Sequence, residues 1–195
     1  MSSGQASLDR TAEGGCPHIS RLNIDTRRDP YLRMNTDPQF RLALESDADT
    51  LLEFMREYYA FDGHGFEEAK ARAALLTLLR DASLGRAWLI LAGSAPVGYI
   101  VICFGYSLEW LGRDAFVDEL YLREQYRGRG WGRKAMMLLE DAAQAAGVRA
   151  LHLGVVRGNP ALQLYRDLGF HEHTSTFLSK WISKDSSKPP GRNGY

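Results

Sequence analysis

Apolar residues along this chain alternate between two-residue and helical spacing. Residues 40–44 (Phe-Arg-Leu-Ala-Leu) mix apolar and polar positions in turn and predict a strand. Ser46 and Asp47 offer an N-cap for a helix carrying Leu51, Leu52, Met55 and Tyr59, broken at Gly63-His64-Gly65. A second helix is predicted over 66–80. Apolar, β-prone runs at 87–92 and 97–104 flank Gly93-Ser94-Ala95-Pro96, a hairpin signal. Residues 115–122 predict a strand that feeds a glycine-rich turn. The helix predicted over 131–146 carries Ala135, Leu138, Leu139, Ala142 and Ala146 on one stripe and stops at Gly147. A strand over 150–156, a short helix over 160–168 bounded by Pro160 and Gly169, and a last strand within 170–182 complete the pattern. The order β-α-α-β-β-β-α-β-α-β predicts an α/β fold, a mixed sheet with helices on both faces and the strand–glycine loop–helix unit at its centre. Residues 1–36 read as an N-terminal extension, 37–182 as one domain and 183–195 as a polar C-terminal tail.

The 195 residues suffice for one substantial core, and 45% hydrophobic with 25% charged residues is ordinary globular composition. A formal net charge of zero supplies no global field for nucleic acid or an acidic membrane. Cys16 and Cys103 match no metal-ligand spacing and no disulfide framework. The start has neither a basic segment nor an apolar one of the secretory kind, and no transmembrane run appears, so the expected location is cytoplasmic.

The most informative stretch is Tyr126-Arg127-Gly128-Arg129-Gly130-Trp131-Gly132. Its glycines leave backbone N–H groups uncovered, and the following helix points its positive dipole end at the same place, which suits a pyrophosphate. The loop lacks the Gly-Lys-Ser/Thr ending of a P-loop and the G-x-G-x-x-G of a Rossmann site. Arg127, Arg129, Arg133 and Lys134 cluster around it. Cations at a helix N-terminus oppose its dipole, which points to an anion that offsets them.

About 35 residues downstream stands Ala161-Leu162-Gln163-Leu164-Tyr165-Arg166-Asp167-Leu168-Gly169-Phe170. The two motifs together resemble the GCN5-related N-acetyltransferase (GNAT) family over roughly residues 40–182. That resemblance implies a mostly antiparallel mixed sheet whose central strands splay apart, with acetyl-CoA bound in the gap and no metal. The backbone from Arg127 through Gly128, Arg129, Gly130, Trp131 and Gly132 would hold the pyrophosphate, with Arg133 beside it. The backbone of Leu120, Tyr121 and Leu122 would pair with the pantetheine arm. Tyr165 would stand near the cofactor sulfur, where a phenol can protonate a departing thiolate. Many family members carry Asn three residues before the Ala of the last helix. Here that slot is Gly158, and Asn159, one residue later, is left as a cap or a cofactor contact.

Asp118 and Glu119 lead into the loop. Adjacent strand residues face opposite sides, so only one should reach a given cleft unless a bulge intervenes. A carboxylate beside the thioester would take a proton from an ammonium acceptor. The segment from Tyr106 through Trp110 to Leu122 is locally similar to the diamine (spermidine/spermine-type) branch. By that similarity Asp118 and Glu119 meet a cationic amine while Tyr106 and Trp110 flank it. Glu53, Glu57, Tyr58, Tyr59 and Asp62 are either further pocket residues or a helix surface. His171 and His173 have no ligand set around them for a metal.

The expected function is transfer of an acetyl group from acetyl-CoA to a small cationic amine such as a polyamine, amino acid or amino sugar. Two alternatives stand beside it. A transferase acting on protein N-termini or lysines predicts a broad groove. A non-catalytic acyl-CoA sensor gives Tyr165 no chemical role. A homodimer is left open, with sheet edges, Trp110 and Trp181 as its candidates.

Overall fold

Five strands form one sheet in chain order in the computed structural model, which describes residues 37–63, 65–156, 158–178, 180 and 182. They are β1 (Gln39–Leu42), β2 (Gly85–Ala92), β3 (Ala95–Ser107), β4 (Gly112–Leu122) and β5 (Ala150–His152). Helices α1 (Ala48–Phe61) and α2 (Glu68–Arg80) connect β1 to β2; α3 (Trp131–Ala145) connects β4 to β5, and α4 (Leu162–Asp167) follows. β1 through β4 pair antiparallel and β4 pairs β5 in parallel. The residue pattern predicts a mixed sheet with helices on both faces, and the family resemblance implies its mostly antiparallel pairing; the structure has both.

Alternation divides the core into two layers. Leu89, Tyr99, Val101 and Tyr121 face α1 and α2, where they meet Leu51, Leu52, Phe54 and Leu75. Ile100, Ile102, Ala115, Val117 and Leu122 face the other way, onto Trp131, Ala135, Met136 and Leu139 of α3. Each fully buried leucine in such a layer is worth about 2–5 kcal/mol against alanine. The start of α1 is held from outside the helix: Asp47 takes two bonds from the Arg41 guanidinium, 2.7 and 2.8 Å, and one from the Leu44 amide, 2.8 Å.

Two differences from the sequence expectation bear on the site. Residues 150–156 give only the three-residue β5, and 170–178 form no strand, so the predicted closing strand is absent among the described residues. Past Phe170, which packs on the α3-side core, the run His171-Glu172-His173-Thr174-Ser175-Thr176 is polar and wholly exposed, with no apolar alternation to hold it on the sheet. His64, Trp181, residues 1–36 and residues 183–195 lie outside the described residues.

The short β5 matters more. Its ladder with β4 covers only Asp114, Ala115 and Phe116. β4 runs on to Leu122, so among the described residues 117–122 have no partner strand on that side. This is the splay. On its other side β4 stays tightly bound to β3, and Gly98 makes the approach possible: a Cβ there would stand 2.2 Å from the Tyr121 carbonyl oxygen. Gly98→Ala should therefore cost more than about 2 kcal/mol in urea unfolding. A cost below half that would show that the strands can separate freely there.

Candidate active site

The residue order of β4 is broken once. Glu119 stands opposite Val101 and Val117 opposite Ile102, so Asp118 is an extra residue in β4 with no counterpart. Before the bulge, Asp114 and Phe116 share the face of Cys103 and Gly105; after it, Glu119 and Tyr121 share the face of Val101 and Tyr99. Asp118 is close enough to the Cys103 thiol and to Glu119 to perturb both, which places it on that same α1/α2 face. The bulge thus brings both carboxylates to one side of the strand, against simple alternation.

Their environments differ. Glu119 accepts from the phenols of Tyr59 at 2.7 Å and Tyr99 at 2.6 Å. Burial raises its pKa, the two phenols oppose that rise, and the Asp118 charge adds to it. Asp118 keeps solvent-exposed surface, yet enough protein surrounds it that burial also raises its pKa, against the opposing effect of the Cys103 thiol. Part of the side chain thus meets solvent while protein packs around the rest. Burial and then the Asp118 charge push the Cys103 thiol up to about 12, so it remains a neutral donor.

Glu53 and Glu57 belong to a different arrangement. Arg123, at the end of β4, bonds both, lies 4.8 Å over the Phe54 ring and gives its amide to the Val97 carbonyl. Glu57 also accepts from the Tyr121 phenol at 3.1 Å. The Arg123 guanidinium holds the Glu57 carboxyl below its usual range. These acids fasten α1 to the sheet. Of the helix residues named as pocket candidates, Tyr59 bonds the carboxylate pair, through Glu119.

The glycine loop has the expected form. Gly128 and Gly130 adopt φ of 70° and 78°, and no protein atom lies within 4 Å of where a Cβ would be on either. The first bond of α3 runs from Lys134 N–H to the Gly130 carbonyl, so the amides of Gly132 and Arg133 precede it. Among the described residues the amides of Gly128, Arg129 and Gly130 donate to no other backbone group. Arg127 is placed otherwise. Its amide donates to Glu124, its Nε donates to the Leu122 carbonyl at 2.7 Å, and its guanidinium stacks on Phe61 and Tyr121. It closes the top of the open β4 edge. Arg133 and Lys134 pair with Asp167 and Asp37, which offsets their opposition to the helix dipole without any bound anion. Arg129 lies over the Tyr126 ring and has no carboxylate partner among the described residues.

α4 is fixed to this loop. A Cβ on Gly132 would be 3.6 Å from Leu164, and Arg133 bonds Asp167 at 3.0 Å. Asn159 caps the turn into α4, its side chain accepting from the Ala161 amide at 2.8 Å. Tyr165 packs edge-on to Phe170 on the α3-side core, the same side as Leu120. Burial alone raises its pKa, so its phenol stays protonated. Tyr165 and the carboxylate pair therefore approach the splayed edge from opposite faces of the sheet. Trp110 contacts His152 and His173, on the side of Phe116. Tyr106 is 76% exposed and stands opposite Arg113, which stacks on Phe104 on the α3 side. The structure does not bring Tyr106 and Trp110 together.

Sequence reasoning missed Tyr99, Cys103 and Arg123 as site-forming residues. Tyr99 carried a signal: a phenol inside the apolar run 97–104 needs a buried acceptor. Among the described residues no group of His, Cys, Asp and Glu could hold a metal ion, and no helix is long and apolar enough to cross a membrane.

The carboxylate pair has a thermodynamic signature. Asp118 and Glu119 hold protons in the folded state to higher pH than their ordinary values of 3.8 and 4.5. Their contribution to stability is full below those values and is lost as pH rises through the raised ones. Glu119→Gln removes one share, so its urea stability should decline less than that of the unaltered protein between about pH 4 and 8. A steeper decline in the variant contradicts this account.

Comparison with known proteins agrees with this geometry. The family model described as "Acetyltransferase (GNAT) family" matches residues 48–170. The thialysine N-epsilon-acetyltransferase of Mus musculus is 35% identical over 92 residues, 47% of this chain and 52% of that protein. An "Uncharacterized N-acetyltransferase" of Bacillus subtilis (strain 168) is 39% identical over 69 residues, 35% of this chain and 44% of that one. The chain thus spans about half the length of the curated relatives it matches. Among solved structures, an integron cassette protein from the mobile metagenome of Cole Harbour Salt Marsh superimposes with a TM-score of 0.68 at 33% identity, covering 74% of this chain and 91% of that one. A "predicted acetyltransferase with acetyl-CoA" from Clostridium acetobutylicum shares the fold, with a TM-score of 0.64 at 16% identity over 73% of this chain and 96% of that one. With a splayed β4 edge, a glycine loop at the head of α3 and a family match over most of its length, the chain belongs to the GNAT acetyltransferase family.

Proposed function

We propose that the protein is an acetyl-CoA-dependent N-acetyltransferase acting on a small cationic amine. The observation that carries this reading is the bulge at Asp118, which turns two carboxylates toward one face of the open β4 edge while Tyr165 approaches from the other. Acetyl-CoA fits the residues present. The uncovered amides around Gly128, Arg129, Gly130, Gly132 and Arg133, with the Arg129 guanidinium, suit a pyrophosphate. The edge at Leu120 and Tyr121, unpartnered among the described residues, suits an extended amide chain laid alongside as an extra strand.

When bound there, acetyl-CoA supplies an activated acetyl thioester. The chain's residues then divide the work. An acceptor ammonium on the α1/α2 side loses a proton to Asp118, because Asp118 meets solvent whereas Glu119 is held by two phenols. Glu119 contributes negative charge that draws the cation in, and Tyr59 and Tyr99 fix its orientation. The neutral amine forms the new C–N bond, the C–S bond breaks, and the nitrogen gives its second proton to solvent as the amide forms. Unpaired β4 amides suit the developing oxyanion. Tyr165 gives its phenolic proton to the departing sulfur and is reprotonated from solvent.

Thiol release with acetyl-CoA should be measured against polyamines, amino acids, aminoglycosides and basic peptides. Turnover is expected with small cationic amines. Tyr165→Phe should lower kcat by about 100-fold or more with little change in the KM for acetyl-CoA, the usual weight of a positioned general acid. Asp118→Asn should remove the rise of kcat/KM with pH that follows ionisation of this carboxylate above the ordinary Asp range. Turnover with peptides alone would move the acceptor class to proteins. Tight CoA binding without turnover and without any Tyr165→Phe effect would favour a sensor.

A further inference from the structure

Glu53 and Glu57 take no part in the transfer reaction, yet one arginine holds both. Arg123 approaches the Glu57 carboxylate through three contacts of 2.7, 3.1 and 3.2 Å and also bonds Glu53. It is itself fixed, with its guanidinium 4.8 Å over the Phe54 ring and its amide donating to the Val97 carbonyl at 3.0 Å. Two residues earlier, the Tyr121 phenol adds a 3.1 Å bond to Glu57. Two residues earlier again, Glu119 accepts from Tyr59 at 2.7 Å. Alternate residues of the open β4 segment and its end, 119, 121 and 123, thus each bond α1.

These bonds fall on two flanks of the helix. At about 100° per residue, Glu57 and Tyr59 stand about 160° apart round α1, and Glu53 lies beside Glu57. Leu51 and Phe54, buried against the sheet, point between the two flanks. Apolar burial is non-directional and does not by itself fix a helix's rotation, whereas directional bonds on both flanks do. A roll of about 20° moves the outer end of a side chain by roughly 2 Å on a helix about 10–12 Å across. That is enough to break the bond from Tyr59 to Glu119. Without Arg123, Glu53 and Glu57 would also stand as like charges one turn apart, which disfavours the present rotation.

We propose that Arg123 is a positioning residue for the acceptor site: through Glu53 and Glu57 it sets the rotation of α1 and so keeps the Tyr59 phenol on Glu119. The kinetic side of this inference rests on the acetyltransferase reading. Glu119 is faced by Tyr59 from α1, by Tyr99 and Cys103 from β3 and by Asp118 from β4, with Tyr58 beside the two phenols. Burial disfavours its charged form, and the two phenols oppose that effect. Arg123 therefore keeps Glu119 ionised to lower pH, and an ionised Glu119 draws the cationic acceptor in.

The test follows Glu119 directly and through turnover, in Arg123→Gln, Tyr59→Phe and the double variant. Carbon-13 NMR of labelled Glu carboxyls, with Glu119→Gln to assign the signal, reads its titration midpoint without substrate. Tyr59→Phe should raise that midpoint by about one pH unit, the weight of one hydrogen bond to a charged group. Arg123→Gln should raise it in the same direction, and the double variant should go no further than Tyr59→Phe. In the thiol-release assay, Arg123→Gln should raise the KM for the amine by up to about tenfold between the two midpoints and less above them, with kcat moving less than KM. A midpoint that Arg123→Gln leaves in place overturns the proposal, because any loss of activity then comes from support of the fold alone. Shifts that add in the double variant overturn it too, because Arg123 then acts apart from Tyr59. Where Arg123→Gln does not fold, Glu57→Gln loosens the same grip from the helix side and is read in the same way. A midpoint that moves as expected, with no thiol release from the unaltered protein on any amine, overturns acetyl transfer and leaves the positioning of Glu119 standing.

Discussion

The parting of β4 from β5 is the constraint on which the rest of the site depends. A strand in a sheet normally spends its backbone donors and acceptors on two neighbours. Among the described residues β4 does so only as far as Phe116, then continues to Leu122 with one neighbour. Backbone groups left open in this way are costly unless something pairs with them, so the edge is a template for an extended ligand. Everything around it keeps it in register: Gly98 lets β3 lie close, Arg123 ties its end to α1, and Arg127 caps the Leu122 carbonyl.

The bulge adds a second consequence. One extra residue turns Asp118 to the face already occupied by Glu119, so two acids meet in partly desolvated surroundings. The protein separates their roles by partners rather than by distance. Two phenols hold Glu119 in place, whereas Asp118 stands near the Cys103 thiol with access to water. The opposite face carries Tyr165, half-buried, whose burial raises its pKa so that it keeps its proton. A proton acceptor on one side of an open edge and a proton donor on the other suit a reaction that takes a proton from an amine and gives one to a sulfur.

Much of this was legible in the residues. The helical stripe from Ala135 to Ala142, the hairpin around Gly93-Ser94 and the glycine loop leading into α3 all arise from local pattern, and the structure has them. The A-x-x-L-Y-x-x-x-G-F motif located α4, and its fastening to the loop through Gly132–Leu164 and Arg133–Asp167 explains why the two motifs occur together. What escaped the sequence is non-local. The bulge depends on the register of β3 against β4, which no single strand encodes. The phenols on Glu119 come from residues 60 and 20 positions away. Arg127 looked like a phosphate ligand because its sequence neighbours are glycines, but Phe61 and Leu122 draw its side chain back to the sheet. Among the described residues the expected closing strand does not form, because 171–176 lacks apolar positions to bury.

Amide hydrogen exchange with and without acetyl-CoA tests the central claim most directly. The account predicts that acetyl-CoA slows exchange at the open β4 edge, over residues 119–122, and at the loop amides of residues 128–133, while β1 and β2 are unchanged. Tight binding that leaves both segments exchanging as before would contradict it.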